Sequence, residues 1–193
     1  MGKELLERPL TNRFREALAY AFDLHRKQPR KGTQIPYVAH LLAVAALALE
    51  HSATEDEAIA ALLPDAVEDQ GGPPTAAAIR QRFGDAVADI VEACSDTEET
   101  PKPPWRSRKE RYIAHVAGAS PSVRLVSACD KLHNARAILG DLRALGEPLW
   151  GRFNAEAGRS GVLWYYCALV DAFRKEPMTV RGRSGEAGRA RLF

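Results

Sequence analysis

Cysteine is scarce in this chain. There are three among 193 residues, and Cys94, Cys129 and Cys167 lie far apart, each within an apolar helical pattern. That spacing supports neither a zinc site nor a disulfide framework, so buried, reduced thiols are expected at all three. An excess of one charge is also missing. The 27 basic residues nearly balance the 25 acidic ones, leaving a formal net charge of +2, which gives no electrostatic case for nucleic-acid binding. No stretch approaches the roughly 18 apolar residues of a membrane span, and the opening "MGKELLERPL" lacks the apolar run of a signal peptide. A cytoplasmic location is therefore the default expectation. Runs of strict apolar and polar alternation, which would mark half-buried strands, are absent as well.

What is present is helical periodicity from end to end. With 46% hydrophobic and 27% charged residues, the chain has the composition of an ordinary globular protein. The pattern predicts an all-α helical bundle forming a single domain over 1–175, followed by a basic, glycine-rich tail over 176–193. Thr11 is placed to cap a first helix with Phe14, Leu18, Phe22 and His25 on its apolar face. "PYVAHLLAVAALALEH" reads as a buried second helix. Thr54 with Glu57 three residues on forms a capping box that opens a third. A short helix is expected from Thr75 to Arg82, another over "DAVADIVEAC", one from Trp105, and one from Ser120-Pro121 through "SVRLVSACDKLHNARAIL". The last is expected over about 154–175.

Acidic residues then appear where an apolar pattern should exclude them. Asp65, Glu68 and Asp69 stand at i, i+3 and i+4, which puts three like charges on one helical face after the apolar run "AIAALL". Asp130 follows "VRLVSAC" and shares a face with Asn134. A carboxylate embedded in such a helix needs a cation or a paired base. His40 lies on the apolar second helix, where a histidine by itself is ordinarily a core residue. Imidazole together with carboxylates suits a divalent ion such as Mn²⁺, Fe²⁺ or Zn²⁺.

"RKGTQIPYVAH", "LLPDAVEDQGG" and "SACDKLHNAR", in this order and with these gaps, resemble the HD-domain hydrolases of the RelA/SpoT type, in particular the stand-alone small alarmone hydrolases. The resemblance runs over about residues 12–175 and implies an all-α HD fold that holds one Mn²⁺ ion and removes pyrophosphate from the 3′ position of ppGpp or pppGpp. By position, it implies metal ligation by His40, Asp65 and Asp130. Glu68 and Asp69 match the acidic pair that orients or activates the attacking water. Arg30 and Lys31 match the basic pair that contacts the nucleotide, and Asn134 a polar residue near its sugar or phosphate. His133 and Arg136 are read as supporting or packing residues.

One position departs from the family. Where its members have the histidine of the His-Asp pair, this chain has Pro64, which offers no ligand atom. A proline inside a helix also removes the hydrogen bond to the carbonyl four residues back, at a cost of about 3 kcal/mol. A break at Leu63-Pro64 is therefore expected, with the carbonyl of Ala60 open to water or another donor and Asp65 displaced. Three readings stay open: a hydrolase working with three protein ligands, a nucleotide-binding protein without turnover, or an introduced substitution in an ordinary hydrolase. Guanine, adenine and other phosphorylated nucleotides all remain candidate substrates. The partner expected is a small-molecule nucleotide, with no membrane; recruitment of nucleic acid by the basic tail over 176–193 stays open as a weaker alternative.

Overall fold

The computed structural model describes residues 10–95, 101–154, 156–175, 180–181 and 187–188. Nine α-helices are found there: α1 Asn12–His25, α2 Val38–Glu50, α3 Glu55–Leu62, α4 Ala66–Asp69, α5 Pro73–Phe83, α6 Asp85–Cys94, α7 Trp105–Gly118, α8 Pro121–Leu145 and α9 Gly158–Lys175. A 3-10 segment, Glu147–Arg152, links α8 to α9. Two short strands, β1 Val180–Arg181 and β2 Ala187–Gly188, pair antiparallel. The remainder of the 176–193 tail lies outside the described residues.

Local chemistry sets the helix starts. The hydroxyl of Thr11 accepts from the amide of Arg13 at 3.1 Å. At α3 the capping box is complete, with the amide of Thr54 donating to Glu57 Oε2 at 2.6 Å and the amide of Glu57 donating to Thr54 Oγ1 at 3.3 Å. Such a cap contributes about 1 kcal/mol. The Ser120 hydroxyl caps α8 in the same way, with Pro121 in the first helical position, where its missing N–H costs nothing.

Several sequence expectations need correction. Phe22 is 52% exposed, because Ala17, Ala21 and His25 form the buried face of α1 instead. Cys94 and Cys129 are buried, but Cys167 is exposed on α9. Helix α5 begins at Pro73 rather than Thr75, since proline fits the first turn. Helix α8 runs on to Leu145, where Gly146 ends it with a positive φ of 67°. Helix α9 begins at Gly158, a turn later than expected, after a turn in which the carbonyl of Asn154 takes the amides of Ala157 and Gly158.

Two buried clusters meet along α8. The larger draws Leu41, Val44, Ile59, Leu62, Leu63, Ile79, Val87 and Val126 from α2, α3, α5, α6, α8 and the turn after α3. The smaller is aromatic, with Tyr112, Tyr165, Leu169 and Phe173 against Ala128. Arg124 stitches the second layer to α8. Though only 3% exposed, its guanidinium donates to the carbonyls of Val116 and Phe173, both at 2.8 Å. Those carbonyls lie near the C-terminal ends of α7 and α9, where a cation is favoured. The large cluster thus holds α2, α3 and α8 side by side, and the residues in question sit on their facing sides.

Candidate metal centre and nucleotide pocket

The chain breaks at Leu63-Pro64, as the proline requires. Leu63 leaves helical geometry at φ −125° and ψ 22°, and α4 starts two residues beyond Pro64. The carbonyl of Ala60 is not left for water or a foreign donor, contrary to expectation. It accepts the amide of Leu63 at 2.9 Å, a tightened last turn that closes the helix before the proline ring. Asp65 therefore lies in the link between α3 and α4, while Glu68 and Asp69 occupy α4. The three carboxylates do not continue a single helix.

Even so, Asp65 stays in the site. His40 on α2, Asp65 on the link and Asp130 on α8 place one potential ligand atom each within 4.8 Å of one another, the only such convergence of His, Cys, Asp and Glu among the described residues. Nε2 of His40 is 3.0 Å from Oδ1 of Asp130 and 3.6 Å from Oδ2 of Asp65. His40 is 1% exposed and Asp130 4%. Despite its proximity to these oxygens, Nε2 is not aligned for a hydrogen bond with either of them. A buried ring nitrogen and two carboxylates aimed at one point are what a divalent ion needs. Ligand atoms about 2.1 Å from an ion lie about 3–4 Å apart, so a small contraction would complete the set. The residues present therefore fit a metal ion with three protein ligands.

The charges are balanced in another way as well. Lys131 Nζ sits 2.5 Å from Asp130 Oδ2, and Asn134 Nδ2 donates to Asp130 Oδ1 at 2.8 Å. Burial alone would raise the Asp130 carboxyl, but Lys131 and His40 overcome it and hold the group well below the usual carboxylate range. For His40, burial disfavours the charged ring, yet Asp130 and Asp65 outweigh it and raise its pKa. Tyr37 donates its hydroxyl to Asp65 Oδ2. Burial and the charge of Asp65 push the phenol far above its ordinary value, so it stays a proton donor rather than a third anionic group beside Asp65 and Asp130.

Asp69 stands a turn beyond Asp65, its amide bonded to the Asp65 carbonyl at 2.9 Å. Gln28 holds its carboxylate, Nε2 donating to Asp69 Oδ2 at 2.9 Å, while Gln28 Oε1 faces His25 Nδ1 at 2.7 Å and accepts from Gln70 at 2.5 Å. Loss of hydration raises the Asp69 pKa; the Gln28 bond opposes this, and the charges of Asp65 and Glu68 add to it. Glu68 pairs with Lys102 at 2.7 Å.

Arg30 and Lys31 lie on the loop between α1 and α2. The amide of Arg30 bonds the carbonyl of Ile35 at 2.8 Å and the amide of Tyr37 bonds that of Gln28 at 2.8 Å, which folds the loop back on itself. Gly32 turns it with φ 72°, where a Cβ would come within 2.7 Å of the Arg152 side chain. Arg30 and Lys31 line a cavity of about 260 Å³ together with Tyr37, Asn134, Phe153 and Tyr166. Arg30 donates from Nη2 to Asn134 Oδ1 at 3.0 Å. Through Asn134 and Tyr37, the pocket touches the carboxylates of Asp130 and Asp65.

Of the eight residues singled out from the sequence, His40, Asp65 and Asp130 converge, Arg30, Lys31 and Asn134 line the adjoining cavity, Asp69 lies a turn beyond Asp65, and Glu68 turns to Lys102. Sequence reasoning missed Tyr37, Gln28, Lys131 and Lys102, and it gave His133 only a supporting place. His133 Nδ1 lies 2.7 Å from His40 Nδ1. The i, i+3 spacing of Asp130 and His133 was the available signal.

This all-α bundle, with a histidine and two aspartates gathered between its helices, belongs to the HD-domain family: the profile described as "HD domain" matches residues 17–147. Its similar proteins are more particular. The guanosine-3′,5′-bis(diphosphate) 3′-pyrophosphohydrolase MESH1 of Xenopus tropicalis is 36% identical over 124 residues, 63% of this chain and 66% of that protein. MESH1 of Drosophila melanogaster is 34% identical over 127 residues, 64% of this chain and 68% of that protein. The bifunctional (p)ppGpp synthase/hydrolase SpoT of Escherichia coli is 34% identical over 137 residues, 68% of this chain but 18% of SpoT. A solved structure described as a metazoan ortholog of SpoT that hydrolyses ppGpp superposes with a TM-score of 0.69 at 30% identity, covering 88% of this chain and 89% of that one. Within the HD-domain family the chain is thus similar to MESH1 and to part of a longer relative, spanning 66% of the Xenopus protein and 18% of SpoT. No helix among the described residues is long and apolar enough to cross a membrane.

Proposed function

We propose that this protein is a metal-dependent 3′-pyrophosphohydrolase of (p)ppGpp that works with three protein ligands, His40, Asp65 and Asp130. The observation that carries the reading is the convergence of these three groups beside a pocket walled by Arg30, Lys31 and Asn134. The domain extends to about residue 175, and Mn²⁺ is the ion proposed. When bound, the ion would lower the pKa of a water molecule and polarise a phosphoryl oxygen.

The remaining steps belong to the chain. Arg30 and Lys31 bind the anionic nucleotide, the guanidinium offering a planar fork and the ammonium a mobile point charge. Asn134 spans the Asp130 carboxylate and the Arg30 guanidinium, so it orients both. Asp69, fixed by Gln28 and with a raised pKa, is suited to take a proton from the attacking water, with Glu68 beside it. Water attacks the phosphorus attached to the 3′ oxygen and the bond from phosphorus to that oxygen breaks; the nucleoside departs with a 3′ hydroxyl, gaining a proton equivalent to the one Asp69 takes from water, and the water's oxygen remains on the released pyrophosphate. A nucleotide dissolved in the cytoplasm is the partner this chemistry calls for.

One observation favours a second reading. Pro64 removes a ligand and, among the described residues, no fourth His, Cys, Asp or Glu joins the cluster. A chain that binds the nucleotide without turnover would keep the same pocket. Manganese-dependent release of pyrophosphate from ppGpp separates the two. Release by the wild-type chain supports the hydrolase, whereas binding of ppGpp without release supports the second reading.

A further inference from the structure

We infer that His133 is a positioning residue for the metal-ligating histidine: its Nδ1 accepts the proton on His40 Nδ1 and so commits the Nε2 lone pair of His40 to the ion. The inference rests on the metal-centre reading above.

The two Nδ1 atoms lie 2.7 Å apart. At that distance one must carry a proton and the other a lone pair, because two lone pairs or two N–H groups would repel. If His133 were the donor, a neutral His40 would carry its proton on Nε2 and direct it at a carboxylate. Nε2 makes no aligned hydrogen bond, although Asp130 Oδ1 is 3.0 Å away. The orphaned Nε2 therefore argues for the opposite assignment.

A second group points the same way. Arg30 Nη1 lies 3.4 Å from the same His133 Nδ1. A guanidinium can only donate, so its approach marks that nitrogen as an acceptor. His133 thus carries its own proton on Nε2. Ligating histidines ordinarily give their second N–H to a carboxylate, a carbonyl or water. Here another imidazole takes that place. It is set on α8 at i+3 from Asp130, so one helix supplies both a ligand and the orienter of another ligand.

Mn²⁺ binding by the full chain, followed by calorimetry, tests this with His133→Leu and His133→Asn. The Asn side chain can place Oδ1 where Nδ1 stood. His133→Leu should lose about 10- to 100-fold in Mn²⁺ affinity, and His133→Asn should recover most of that loss. Unchanged affinity in His133→Leu would overturn the inference, as would an equal loss in both variants at unchanged melting temperature. Ring-nitrogen NMR on the metal-free wild-type chain decides independently of the ion and of either variant's folding. The expected spectrum has His133 protonated at Nε2 and bare at Nδ1; a proton on His133 Nδ1 refutes the assignment. Should the wild-type chain bind no Mn²⁺, the metal-centre reading fails and the ring-nitrogen spectrum alone judges the hydrogen bond.

Discussion

The amide of Leu63 closes onto the carbonyl of Ala60 at 2.9 Å, immediately before Pro64. This short turn lets a proline stand inside the second motif while Asp65 keeps its Oδ2 within 3.6 Å of His40 Nε2. A proline at this position thus leaves His40, Asp65 and Asp130 gathered. Replacing it, Pro64→His, returns an imidazole next to Asp65. Mn²⁺ affinity should rise by at least about tenfold, since one added ligand contact worth about 1.4 kcal/mol already gives that factor. Calorimetric titration of both chains would measure it, and no gain would mean that the link does not present residue 64 to the ion.

Tyr37 and Asp65 form the next test. In Tyr37→Phe the Asp65 carboxylate loses its hydroxyl donor. Metal-free stability should fall by about 1.5–3 kcal/mol, the range for a hydrogen bond to a charged group. Urea unfolding would show this as a lower midpoint at constant slope.

Gln28 has a kinetic signature. Its amide fixes Asp69 while its carbonyl serves His25 and Gln70. In a hydrolase, Gln28→Ala should lower kcat about tenfold and leave KM nearly unchanged, as for an interaction made only in the transition state. A change confined to KM would instead place Gln28 in nucleotide binding.

Arg30→Ala should weaken ppGpp binding by about 1.5–3 kcal/mol, the range for charge-assisted hydrogen bonds. Fluorescence or calorimetric titration in the absence of turnover would report it. Retained affinity would remove Arg30 from the pocket's anion-binding role.

Stability should also peak with pH in the metal-free protein. Burial and the charges of His40 and Arg30 push His133 down from 6.5 to about 4. The unfolded chain takes up a proton in that interval that the native ring refuses, so stability falls as pH drops from 6.5 toward 4. His40 has a raised native pKa. Its contribution is complete below 6.5 and is lost as pH rises through that native value. Melting temperatures across this range should therefore be highest near pH 6.5. Mn²⁺, which competes with the proton on His40, should flatten the alkaline side.

The sequence by itself determined the helices and their breaks, because capping and proline geometry act within a few residues. Thr54 with Glu57, Ser120 with Pro121 and the interruption at Pro64 all have local causes. It also carried the eight candidate site residues, since motifs keep their order whatever the fold does with them. Only the tertiary structure decided which side chains meet across the gaps. His133 lies 93 positions from His40 and Gln28 lies 41 from Asp69. Such contacts depend on the distance and rotation of packed helices, and these are set by the shared core of α2, α3 and α8. The exposure of Phe22 and Cys167 follows from the same packing, which periodicity along a single helix does not specify.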